Sequence, residues 1–153
     1  MPTPPYVIEY ERTFTLPASP PRVWSAIARF DRYEEWWSWL RELRVEGHGL
    51  AAGTTLDGTM VPPLPYRMRI HVTLLECKAP RLIRAAVDGD LRGTARLRLT
   101  PVGAETRADV DWTIEMMQAP MRLVSRFARP LLLWGHDRVV DATVAGFSRH
   151  LSR

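Results

Sequence analysis

The spacing of apolar residues switches between a period of two and a period of three to four along the chain, and each switch marks a new element. From Tyr6 to Leu16, the residues Tyr6, Ile8, Tyr10, Phe14 and Leu16 alternate with Val7, Glu9, Glu11, Thr13 and Thr15. This is the pattern of a half-buried strand. Arg12 interrupts it by falling on the apolar face. Ser19 before Pro20 and Pro21 has the form of a helix start, with proline placed where no backbone donor is needed, and Val23, Trp24 and Ile27 continue at helical spacing. Asp31 can cap a second short helix, Arg32 to about Leu40, carrying Trp36, Trp37 and Trp39.

Beyond Arg41 the period returns to two. Gly47, Gly49, Gly53, Gly58 and the run Pro62 to Pro65 punctuate it with turns. Tyr66, Met68, Ile70, Val72 and Leu74 alternate with Arg67, Arg69, His71 and Thr73 in a strand that Pro80 ends. The next strand, about Leu82 to Val87, reaches Asp88-Gly89, a hairpin signal because the turn requires positive φ. In the last hairpin Leu91, Gly93, Ala95, Leu97 and Leu99 share a face. After a turn at Pro101 to Ala104, Ala108, Val110, Trp112 and Ile114 do the same. The opposite faces carry Arg96, Arg98, Asp109 and Asp111, which can pair across strands.

From Pro120 to Leu151 the spacing is helical, with Val124, Phe127 and Leu131 on one stripe and His136, Val140, Val144, Phe147 and Leu151 on a later one. Pro130 removes a backbone donor and crowds the preceding turn, which predicts a kink or break there. A sheet with one apolar face needs a cover, and the terminal helix is the element long enough to supply it. The predicted class is therefore α+β: a curved antiparallel sheet wrapped around a long C-terminal helix, with two short helices after the first strand. Such an arrangement leaves a cavity between helix and sheet.

Composition narrows this further. With 153 residues, 46% hydrophobic and 25% charged, the chain reads as one domain over 1–153. The start lacks a basic and apolar leader, and the run Leu131 to Trp134 is too short to span a bilayer, so a cytoplasmic protein is expected. Cys77 is the sole cysteine, and His48, His71 and His150 lack ligand spacing; neither a disulfide, a metal nor a cofactor is expected. Nucleophile-elbow, phosphate-loop and dinucleotide motifs are missing, and Gly47-His48-Gly49 carries no weight alone. Twenty of the 21 basic residues are arginine. Residues 1–76 hold 8 basic and 9 acidic residues, and 77–153 hold 13 and 8. Part of that second-half excess is the row Arg122, Arg126 and Arg129, a solvated face or a site of transient contact with a membrane or protein. Nucleic acid is not expected, because the strand arginines alternate opposite aspartates and no recognised binding motif accompanies them.

Four segments taken in order resemble the START-like (SRPBCC) superfamily with its helix-grip fold, in particular its polyketide cyclase/dehydrase-like and lipid-transfer branch. Phe14-Thr15-Leu16-Pro17-Ala18-Ser19-Pro20-Pro21-Arg22-Val23-Trp24 resembles its strand-to-helix entry, and Tyr33-Glu34-Glu35-Trp36-Trp37-Ser38-Trp39 its second helix. Gly89-Asp90-Leu91-Arg92-Gly93 is similar to its middle hairpin, and Trp134-Gly135-His136-Asp137-Arg138-Val139-Val140 to the terminal helix of one bacterial group. Glu105-Thr106 stands where the family usually has Gly-Thr, and Leu97 where it often has an aromatic.

The resemblance implies a pocket for a lipid, aromatic polyketide or quinone. The inward faces nominate Tyr10, Phe14, Tyr66, Met68, Ile70, Trp112 and Ile114, with Phe127, Leu131 and Trp134 from the helix; each can equally be plain core. Arg12, and Arg84 if Leu82 and Ala86 face inward, can hold an anionic ligand oxygen, or else lie at the sheet edge and on its outer face. His136 suits acid/base work on an enolisable ketide, with Tyr66 as the second candidate, or is a structural histidine. Asp137, adjacent in sequence, falls on a different helix face. Two function classes follow: a binder of one hydrophobic small molecule, with or without cyclase or dehydratase activity, and a non-catalytic module resembling coenzyme-Q-binding or co-chaperone members that acts through its surface.

Overall fold

The computed structural model describes residues 3–152. Seven strands form one antiparallel sheet: β1 (Val7–Leu16), β2 (Leu40–Glu46), β3 (Thr55–Met60), β4 (Met68–Lys78), β5 (Leu82–Gly89), β6 (Leu91–Val102) and β7 (Glu105–Met116). Their order across the sheet is β1-β7-β6-β5-β4-β3-β2, so the first two strands occupy opposite edges. The crossing between them is made by α1 (Pro20–Ile27), a 3-10 turn (Phe30–Arg32) and α2 (Tyr33–Trp36), which close one end. Helix α3 (Ala119–Leu151) then lies along the concave face, giving the expected helix-grip architecture.

Alternation decides which side chains reach that face. Pairing Tyr10 with Trp112 and Phe14 with Ala108 sets the even positions of β1 and β7 on the same side. Register slips between Arg41 and Arg44 and between Leu74 and Glu76 bend the sheet, as an extra residue on one strand increases local twist. The outward pairing of Arg96 with Asp111 is direct, at 2.8 Å. Asp109 lies opposite Arg98 in register but bonds instead to Thr13 and Arg107. Asp88 accepts from the Gly89 amide and Asp90 from the Arg69 amide, fixing the β5–β6 hairpin.

Two elements depart from the sequence expectation. The helix expected over Arg32 to Leu40 stops at Trp36, and Trp37 is extended. Tertiary contacts override the helical pattern here: the Trp37 indole N–H donates to the Thr143 carbonyl of α3 at 2.9 Å, and Trp36 packs on Phe147 and His150. Asp31 does not cap it, because its carboxylate is held by Arg29 at 2.8 Å. The final hairpin is longer than expected, with Pro101 and Val102 still in β6 and the turn reduced to Gly103-Ala104. Helix α3 does kink, at Ala128 (φ −136°, ψ 39°), two residues before Pro130.

The departures from the family pattern at Glu105 and Leu97 leave the fold intact. Thr106 is fully buried and its hydroxyl donates to the Ala18 carbonyl at 2.7 Å, tying β7 to the β1–α1 turn, while Glu105 is exposed. Among the described residues no helix is long and apolar enough to cross a membrane.

Candidate functional site

The concave face of the sheet and the inner face of α3 do not meet everywhere. Between them lies a cavity of about 310 Å³, at the small end of sites that enclose drug-sized molecules. The sheet contributes Ile8 and Phe14 from β1, Met60 from β3, Met68, Ile70 and Val72 from β4, and Val87, Leu91 and Ala95 from the β5–β6 hairpin. Val110, Trp112, Ile114 and Met116 come from β7, and Pro62 and Tyr66 from the β3–β4 loop. Helix α3 supplies Met121, Leu132, Gly135, His136, Val139, Val140, Thr143 and Val144. The wall is almost wholly hydrocarbon.

Of the residues nominated from sequence, Phe14, Tyr66, Met68, Ile70, Trp112, Ile114 and His136 are brought together in that wall. Tyr10 stands just behind, stacked on Trp112 with centroids 4.8 Å apart. Five other nominees are not there. Phe127, Leu131 and Trp134 point outward and are 82%, 49% and 47% exposed. Arg84 lies on the outer face near Glu76, because β5 turns Ile83, Ala85 and Val87 inward. Arg12 is on the inner face but outside the cavity wall: its Nη1 donates to Asp141 Oδ1 of α3 at 2.7 Å, and that bond holds the guanidinium proton more firmly than usual. It clasps the margin of helix and sheet and does not reach a ligand.

The polar groups of the wall have defined states. An indole N–H can only donate, so the 3.0 Å contact from Trp112 Nε1 makes His136 Nε2 an acceptor. The proton of the neutral ring then sits on Nδ1, 3.1 Å from Asp137 Oδ1. Adjacent side chains on a helix do not share a face, yet Asp137 bends back to orient the ring, contrary to the sequence expectation. The Tyr10 ring meets His136 edge-on at 4.8 Å and closes the remaining side. Tyr66 is half-buried, and burial pushes its phenol pKa up, so it stays protonated and serves as a donor. Trp39 Nε1 is buried with no hydrogen-bond partner among the described residues.

Trp39 also belongs to a second space of about 250 Å³ between the short helices and the far end of the sheet, lined by Ile27, Phe30, Tyr33, Leu43, Leu56 and Ile83 among others. Trp39, Ile70 and Val72 line both and form the partition between them. Tyr33 seals its outer side, with its hydroxyl donating to the Ile27 carbonyl and its pKa driven well up by burial. No set of three or more His, Cys, Asp or Glu among the described residues is grouped to hold a metal.

The helix-side wall was hidden from sequence reasoning by the phase of α3. Extending the His136 stripe backward in steps of three or four reaches the buried positions Leu132, Ser125 and Met121, whereas the Val124 stripe leads outward. Trp39 carried a signal in its clustering with Trp36 and Trp37, but not one that separated wall from core.

A curved antiparallel sheet gripping one long helix around an apolar cavity defines a helix-grip protein of the START-like class. The family model described as polyketide cyclase / dehydrase and lipid transport matches residues 7–151, and the chain belongs to that family. No curated protein matches the sequence. Among solved structures it is similar to a protein from Thermus thermophilus, with 18% identity and TM-score 0.77 over 94% of this chain and 97% of that one. It is similar to the ZhuI aromatase/cyclase from Streptomyces sp. R1128, with 16% identity and TM-score 0.78 over 96% and 94%. A third likeness is to norcoclaurine synthase from Thalictrum flavum in complex with dopamine and hydroxybenzaldehyde, with 15% identity and TM-score 0.65 over 95% and 86%. At these identities the likeness establishes the fold.

Proposed function

We propose that the protein binds one hydrophobic small molecule, an aromatic polyketide, quinone or lipid with a compact ring system, in the cavity under α3. The observation that carries this reading is the cavity itself: about 310 Å³ lined by side chains that are almost all apolar. Burying an apolar ligand there gains roughly 25 cal/mol per Å² removed from water, with no buried charge to desolvate on the protein side. Tyr66 offers its hydroxyl to one ligand oxygen. His136 and Trp112 form a fixed polar spot on an otherwise hydrocarbon wall.

The same geometry argues for binding ahead of catalysis. A general base needs a free lone pair, and that of His136 Nε2 is engaged by Trp112. Tyr66, held protonated by burial, is a hydrogen-bond donor and not a base. A cyclase or dehydratase step that uses His136 as its base therefore requires a ligand that displaces Trp112 from it. Native mass spectrometry of the freshly purified chain tests the binding reading. The expected result is a fraction carrying one apolar small molecule, lost on organic extraction and restored by adding an aromatic polyketide. A chain that stays ligand-free and takes up none of the polyketides, quinones or lipids offered would overturn it.

A further inference from the structure

We propose that the outward face of the first half of α3 is a docking surface for an anionic lipid bilayer. Leu123, Phe127, Leu131 and Trp134 follow one another along it, 56%, 82%, 49% and 47% exposed. Leu123 and Phe127 precede the kink at Ala128 and Leu131 and Trp134 follow it, and steps of four and three residues keep each pair on the side of the helix away from the sheet. The inward face of the same segment is also apolar or small, with Met121, Ser125, Leu132 and Gly135 buried. Past Gly135 the outward positions become Asp137, Arg138 and Asp141, so the second half is an ordinary amphipathic helix and the first half is clad in hydrocarbon on both sides. Packing the helix onto the sheet accounts for the inner stripe only.

Charge selects the occupant. Arg126, beside the stripe, has no partner among the described residues. Arg129 donates to the carbonyls of Pro5 and Val7, so no carboxylate neutralises it. Arg138 lies over the Trp134 ring, 5.8 Å from its centroid. Of the carboxylates closest in the chain, Glu115 is paired with Arg122 at 2.7 Å, while Asp137, exposed at the far end beside Arg138 and bonded to a neutral His136, keeps its charge. A second copy pressed on this stripe would set arginine against arginine with only Asp137, at its far end, to relieve them, whereas a negatively charged headgroup layer pairs with the exposed Arg126 and Arg138. Phe and Trp side chains flanked by arginines that reach back to the headgroups are the composition of a helix lying in a bilayer interface. Since Leu132 and Gly135 of this segment line the cavity, one helix thickness separates that interface from the bound ligand.

The test is co-sedimentation of the full chain with vesicles of phosphatidylcholine alone and of phosphatidylcholine mixed with phosphatidylglycerol. The expected result is binding to the mixed vesicles that weakens as salt is raised, with little binding to the neutral ones. Phe127→Ser should lower affinity for the mixed vesicles about tenfold, from the lost burial of one aromatic side chain, and Arg126→Gln a few-fold. Both side chains are exposed, so the variants keep the fold, which circular dichroism checks. Three results would overturn the proposal: a chain left in the supernatant with anionic vesicles, Phe127→Ser and Leu131→Ser variants that bind as the parent does, or a dimer at sedimentation equilibrium that Phe127→Ser dissolves.

Discussion

At the scale of single residues, His136 illustrates how a side chain with catalytic potential is given a fixed state by its neighbours. Trp112 donates to Nε2 and Asp137 accepts from Nδ1, and the two contacts together specify one tautomer. Nitrogen-15 NMR of the ring should therefore show Nδ1 bearing the proton and Nε2 as the bare nitrogen, with the pattern reversed or averaged in Trp112→Phe. A parent protein with the proton on Nε2 would mean that Trp112 does not bond to it. That would reopen the acid/base role, since Nε2 would then be free to face the cavity. Sequence alone showed that His136 shares a stripe with Val140 and Val144 and so reaches inward. It did not show Trp112, which lies 24 positions away and meets the histidine only because β7 runs beneath α3. Arg12 was legible as an intruder on an apolar face for the same local reason, and its partner Asp141 was not.

At the scale of elements, the readings that succeeded rest on one unambiguous period, and those that failed rest on two. In β4 and β7 polar and apolar residues alternate cleanly, and Met68, Ile70, Trp112 and Ile114 all line the cavity as expected. In β5, Leu82, Ile83, Ala85, Ala86 and Val87 are apolar at both parities, and a slip of one residue moves Arg84 from one face to the other. In α3 two apolar stripes run along opposite sides of the helix, and only the one through Met121, Leu132 and His136 faces the sheet. Phe127, Leu131 and Trp134 belong to the other and lie outside. Close approach of α3 to its surroundings gives a paired prediction. A Cβ on Gly146 would come within 2.4 Å of the Trp36 carbonyl oxygen, a backbone atom that cannot yield, whereas one on Gly135 would meet the tip of the Leu64 side chain. Gly146→Ala should thus lower the unfolding free energy by about 1–3 kcal/mol in urea melts. Gly135→Ala should stay within about 1 kcal/mol of the parent, as the better helix propensity of alanine offsets a small shift of Leu64. Equal losses in the two variants would contradict this picture of how α2 and the β3–β4 loop hold the helix.

At the scale of the whole molecule, the fold and the presence of a cavity under the helix were readable, and the full membership of its wall was not, for a physical reason. A strand needs only its period, and the need to cover an apolar sheet face follows from the strands taken together. A residue lining empty space, however, has the same polarity and spacing as one filling a core, so Met116 and Met121 look alike in sequence whether the space beside them is open or packed. The cavity lies where the inner face of the curved sheet stands off from α3. Much of the net charge is settled at this scale too: Arg96, Arg107 and Arg122 are each bonded to a nearby acid, and Arg126 stands beside an apolar stripe with no acid on it among the described residues.

The methionines provide the most direct test that this space receives a ligand. Met60, Met68, Met116 and Met121 line the cavity, while Met117, adjacent to one of them in sequence, does not. With carbon-13 methyl labels on methionine, titration with 2-naphthol should produce ring-current shifts at those four methyls that saturate at one equivalent, with Met117 unmoved. Saturable shifts confined to Met117, or no shift at any of the four, would contradict the account.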